Sequence, residues 1–218
     1  MPPAKRGGNC QNDQTKNMKT ISRIRPLVAR PLALIIFALL PTLAQAHPGE
    51  PGHAHGFTNG LLHPLTGLDH ICAMIAVGLW AAQLGGRARW LVPTMFVAAM
   101  MLGGVLGLSG RHVPGIEQGI AASVLILGVF IATATKLPLS ASAAIVALFA
   151  WFHGYAHGAE MPANTSAAAY GTGFIFATAG LHILGVVLGV MAQEINFPKS
   201  VRVAGASIAA CGVYLCFA

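Results

Sequence analysis

Six long apolar runs, at residues 67–84, 90–108, 116–135, 137–157, 166–191 and 201–217, constrain this chain more than any other feature. A hydrocarbon core about 30 Å thick takes roughly 20 helical residues to cross. Lipid offers no partner to an unpaired backbone amide, so only helices and closed barrels span it. The runs are too long and too continuously apolar for barrel strands, which alternate over about ten residues. The expected fold is therefore all-α, a polytopic membrane bundle of six transmembrane helices. Composition agrees: 55% of residues are hydrophobic and only 9% charged, too few charges to coat a soluble globule of this length.

The N-terminus predicts a signal peptide. A basic stretch leads into an apolar core at 32–40, then Pro41 and the small-residue site Ala44-Gln45-Ala46, the layout of a cleaved secretory signal. Residues 1–46 are expected to be removed, with Met18 as the true start of translation. His47 would then open a periplasmic His-containing segment, 47–62, mobile over 47–55, ahead of a transmembrane domain at 63–218. The formal charge of +7 reflects this region, since seven of the 13 basic residues precede the first apolar run. The remaining six face five acidic residues, so a nucleic-acid role has no support. Arg87, Arg89, Lys136, Lys199 and Arg202 fall in alternate connections, whereas the other two hold only Arg111 among basic residues. That bias places the first set in the cytoplasm and both mature termini in the periplasm of an inner-membrane protein. Gly103 and Gly107, Gly154 and Gly158, and Gly185 and Gly189 have the spacing of close helix packing.

Hydropathy does not explain where the histidines and acids sit. Ionisable groups inside spans are costly and are usually paired or functional, and here they form two clusters. The first is His63-Pro64-Leu65-Thr66-Gly67-Leu68-Asp69-His70, at the periplasmic mouth of the first helix. Pro64 and Gly67 predict an irregular start there. The second is Phe152-His153-Gly154-Tyr155-Ala156-His157-Gly158-Ala159-Glu160, at the periplasmic end of the fourth. Its His153, His157 and Glu160 follow one helical stripe. Imidazole nitrogen with carboxylate oxygen suits divalent nickel, cobalt, copper or zinc, and mixed ligation of this kind binds an ion yet releases it. The alternative is that these histidines only bond between helices.

Other candidates are provisional. His182 is single in the fifth run, equally a third ligand or an interhelical hydrogen bond. His47, His53 and His55 would lie in the mobile segment, either capturing metal or simply solvated. Met74 shares a face with His70 and is more often packing than a sulfur ligand. Cys72, Cys211 and Cys216 suggest neither a CxxC site nor a disulfide framework. Trp80, Trp151 and Tyr155 read as packing or interfacial aromatics. Two rival functions stand beside transport. An intramembrane metalloenzyme would need a general base, yet no HExxH occurs; a metal sensor or accessory subunit would bind ions without flux. No lysine lies in a span for a retinal Schiff base, and no nucleotide-binding GxxxxGK[ST] appears. The chain is thus expected not to be an enzyme and to need no prosthetic cofactor, its partners being a divalent metal ion and the bilayer.

HPLTGLDH and FHGYAHGAE resemble the paired motifs HPxxGxDH and FHGxAHGxE of the HupE/UreJ family of hydrogenase and urease accessory proteins. The resemblance runs from His47 through all six expected spans. It implies secondary transport of nickel, in some members cobalt or copper, supplying urease or hydrogenase maturation. Matched by position, the functional residues it implies are His63, Asp69, His70, His153, His157 and Glu160. Another nickel permease family carries a shorter His-x4-Asp-His element, whereas five residues separate His63 from Asp69 here.

Overall fold

The computed structural model describes residues 53–161 and 165–218. The expected signal peptide and His47 lie outside them. The described residues form seven helices and no strand: α1 (His53–Thr66), α2 (Leu68–Leu84), α3 (Ala88–Gly107), α4 (Ile116–Thr133), α5 (Leu139–Ala159), α6 (Ala167–Glu194) and α7 (Pro198–Leu215). Helices α2 to α7 coincide with the six apolar runs to within a few residues. Four of them, α3 to α6, are long and apolar enough to cross a membrane, and counting the bent pair α1–α2 as one span gives five. Helix α7 is 18 residues long but carries Lys199 and Arg202 in its first turns, and it is not among these.

Helix α1 departs from the sequence reading, which made residues 47–55 mobile and put the first motif at a helix start. The chain is helical from His53, and it breaks at Gly67, which is extended at φ −87° and ψ 124°. The two halves meet at 80°. His53 and His55 therefore lie in the first turn of a helix. The physical reason is tertiary. Residues 53–62 are rich in glycine and polar groups and are poor helix formers alone, but α1 lies directly on α6. A Cβ at Gly60 would overlap the Tyr170 carbonyl, and one at Gly173 the Phe57 carbonyl. Further down, Gly78 meets the backbone of His182 and Gly185, and Gly189 meets Ala82. Both halves of the bent pair thus follow the unbroken α6 in the same sense.

Close helix contact also builds the α3–α5 pair. A Cβ on Gly103 or Gly107 would strike the Trp151 or Tyr155 carbonyl, and one on Gly154 or Gly158 the Met100 or Gly104 carbonyl. Glycines on both sides let the two backbones touch, the means by which helices associate in lipid, where the hydrophobic effect gives no drive between them. Trp80, Phe96, Met74, Leu127 and Ile131 fill the interior, while Trp90, Leu102, Val105, Phe176 and Val203 face outward. Large apolar groups on the outside suit a lipid-facing surface. At the end of the bundle opposite the histidines, side chains bind carbonyls at the helix ends. Trp80 Nε1 donates to Thr135 O (2.9 Å), Gln83 Nε2 to Ile131 O (3.1 Å), Gln193 Nε2 to Ala82 O (3.0 Å) and Arg202 Nε to Ala132 O (2.7 Å). The last carbonyls of a helix have no helical partner, so these bonds close that end.

Candidate metal centre

The break in the first span places His63 and His70 around one point. His63 lies in the last turn of α1 and His70 in the first turn of α2, with ring centroids 5.8 Å apart. His157, in the last turn of α5, comes from the other side, with centroids 4.7 Å from His63 and 4.4 Å from His70. Each of the three offers one ring nitrogen, and these atoms all lie within 4.8 Å of one another. His70 and His157 meet Nε2 to Nε2. At a metal–nitrogen length of about 2.1 Å, tetrahedral ligand nitrogens sit roughly 3.4 Å apart, so small side-chain shifts bring the trio onto an ion. His70 and His157 are buried and His63 partly so.

Asp69 is not one of the three grouped residues. Its Oδ1 lies 2.7 Å from His70 Nδ1, behind the ring. A carboxylate at that distance favours the proton on Nδ1 and a lone pair on Nε2, the carboxylate–histidine arrangement that orients metal ligands. Gly67 makes room for it: a Cβ at that position would stand 2.6 Å from His70 Nδ1 and 2.7 Å from Asp69 Oδ1.

His153 lies one turn deeper, fully buried, with its centroid 5.3 Å from that of His70. It is outside the trio, and its Nε2 is 2.9 Å from Ser123 Oγ on α4. Glu160 follows α5 and is exposed. It lines an outer cavity of about 530 Å³ with Arg111, His112 and Glu117. Tyr155, read from the sequence as a packing or interfacial aromatic, donates its hydroxyl proton to the Arg111 carbonyl and ties the α3–α4 connection to α5. His182 is also buried, its Nδ1 2.9 Å from the Met74 carbonyl. Met74 touches it through the backbone, and its own side chain is fully buried.

Sequence reasoning missed the α6 wall of the site. Phe174 stands with its ring centroid 4.3 Å from His157, 6.2 Å from His63 and 6.4 Å from His70. Tyr170 adds a second ring, 6.1 Å from His63. Nothing in an apolar run singles out an aromatic as site-lining. Ser123 had a faint signal, a hydroxyl inside an apolar helix. Cys72 and Cys211 had none: they are free thiols with Sγ atoms 3.7 Å apart, joining α2 to α7 across 139 residues.

The comparisons with known proteins agree with this architecture. The family model for HupE / UreJ protein matches residues 34–215. The curated "Protein HupE" of Rhizobium leguminosarum bv. viciae is 45% identical over 180 residues, covering 81% of this chain and 91% of its own length. No solved structure matches. With both motifs folded around one point and the family model covering nearly all the described residues, the chain belongs to the HupE/UreJ family.

Proposed function

We propose that this protein is a secondary transporter for divalent nickel in the inner membrane, supplying hydrogenase or urease maturation. The observation that carries the reading is the convergence of His63, His70 and His157 on one point from helices far apart in sequence. Three neutral imidazoles suit a borderline divalent ion, and three ligands without a closing thiolate leave the ion exchangeable. Asp69 supplies negative charge and fixes His70, and Glu160 and Glu117 give the outer cavity the sign that attracts a cation. Ligand type alone also admits cobalt, copper or zinc, and the choice of nickel follows the motifs. In this reading residues 1–46 are cleaved, α7 with the bent pair completes six spans, and the basic connections face the cytoplasm. No prosthetic group and no catalytic step is required.

Uptake of nickel, cobalt, copper and zinc into proteoliposomes tests it. Nickel is expected to enter against an empty lumen, and His63→Ala, His70→Ala or His157→Ala each to cut the initial rate at least about 10-fold with the protein still inserted. Wild-type rates in all three variants would reject the site. Tight binding without flux would make the chain an accessory metal binder instead.

A further inference from the structure

Two thiols face each other where two closely packed helix pairs meet. Helix α2 is seated on α6, where a Cβ at Gly78 would strike the His182 carbonyl and one at Gly185 the Ile75 carbonyl. Helix α7 is seated on α4 in the same way: a Cβ at Gly128, Gly205 or Gly212 would strike the backbone amide nitrogen of Ala209, Ala132 or Leu125. Between the pairs, the Cys72 thiol of α2 donates to Cys211 Sγ of α7, with the sulfurs 3.7 Å apart. Both thiols are free and partly buried, on side chains packed against the apolar core. A cysteine in an apolar helix usually serves as a small hydrophobe, and then no second thiol is needed beside it. Here one thiol meets another. A disulfide bond is about 2.05 Å long, a closure within the swing of two cysteine side chains. Cys72 follows His70 by two residues near the start of α2, and Cys211 lies near the end of α7, so the contact sits at the histidine end of the bundle.

We propose that Cys72 and Cys211 are an oxidation site: a disulfide between them staples the α2–α6 pair to the α4–α7 pair and, by restraining the part of α2 that carries His70, slows metal passage. The bond rests on the thiol contact alone; its effect on passage rests on the transport reading. In the orientation proposed above, this end faces the periplasm, where disulfides form and persist. The oxidant is itself a disulfide, of a protein or a small molecule. One cysteine, as its thiolate, attacks a sulfur of the oxidant and releases the other sulfur as a thiol. The second cysteine then gives up its proton and displaces the sulfur that remains. Two hydrogens leave the pair in all, and the oxidant departs as two thiols. A helix that carries a ligand shifts when a bound ion is released, and a covalent tie to α7 restrains that shift.

The test treats the purified full chain in detergent with dithiodipyridine, an apolar aromatic disulfide. Peptide mass spectrometry is expected to find Cys72 joined to Cys211 with no pyridyl adduct on either, and a phosphine reductant is expected to restore both thiols. This reading needs no variant to fold. In proteoliposomes the oxidised wild type is expected to take up Ni2+ several-fold more slowly than the reduced protein, and to recover once reduced and freed of reductant. The double variant Cys72→Ser, Cys211→Ser is expected to keep one rate throughout. Separate adducts on the two cysteines, two unmodified thiols, or a link from either to Cys216 would each overturn the site. A Cys72–Cys211 link with equal uptake in both redox states would overturn its control of passage. No uptake by the reduced protein would reject transport and leave the linked peptide standing.

Discussion

At the scale of single residues, the outer site depends on which nitrogen of each imidazole is free, and that is decided by neighbours a sequence does not pair. Asp69 and His70 are adjacent in the chain, so their partnership was readable, but its sense was not. Whether the carboxylate binds metal or braces the ring depends on a rotamer, and here its Oδ1 lies 2.7 Å from His70 Nδ1. Ser123 and His153, 30 residues apart, could not be joined from the sequence at all. Gly67 gives a sharp prediction at this scale. A methyl group there would press on His70 Nδ1 and Asp69 Oδ1, side-chain atoms and not backbone. Gly67→Ala is therefore expected to weaken Ni2+ binding about 10-fold or more, while the melting temperature in detergent shifts little. An equal loss of both would show that Gly67 serves the fold instead.

At the scale of helices, the apolar runs announced themselves because lipid selects on hydrophobicity, and α2 to α7 appeared where they were expected. Helix α1 did not, since its stability comes from Gly60 and Gly173 meeting α6 and not from its own composition. Cys72 and Cys211 were invisible for the same reason: contact between α2 and α7 is a product of packing. The α3–α5 pair is the element whose failure should be most visible. Gly154 sits against the Met100 carbonyl and within 2.9 Å, at an added Cβ, of the Gly104 amide nitrogen. Backbone cannot swing aside as a side chain does, and overpacking costs about 1–3 kcal/mol or more. Gly154→Leu is expected to lower the yield of monodisperse protein several-fold by size-exclusion chromatography. Normal yield would mean that the pair is not what holds α5, and with it His153 and His157, in position.

At the scale of the whole molecule, charge gives an orientation that can be checked directly. Arg87, Arg89, Lys136, Lys199 and Arg202 all sit at or beside the connections after α2, α4 and α6, and such a bias retains its loops in the cytoplasm. Alkaline phosphatase, which folds only in the periplasm, is expected to be active when fused after Ala218 and inactive when fused at Lys136. The opposite pattern would turn the bundle over and put the histidine trio on the cytoplasmic side.

That same basic end has a further meaning. Trp80, Gln83, Gln193 and Arg202 bolt helix-end carbonyls together there, whereas the histidine end opens through a cleft and a broken helix. The two ends of the bundle are thus built differently. In the proposed transport cycle, a cation leaving toward that end would require those four bonds to change partners, so release, rather than capture, would set the slow step.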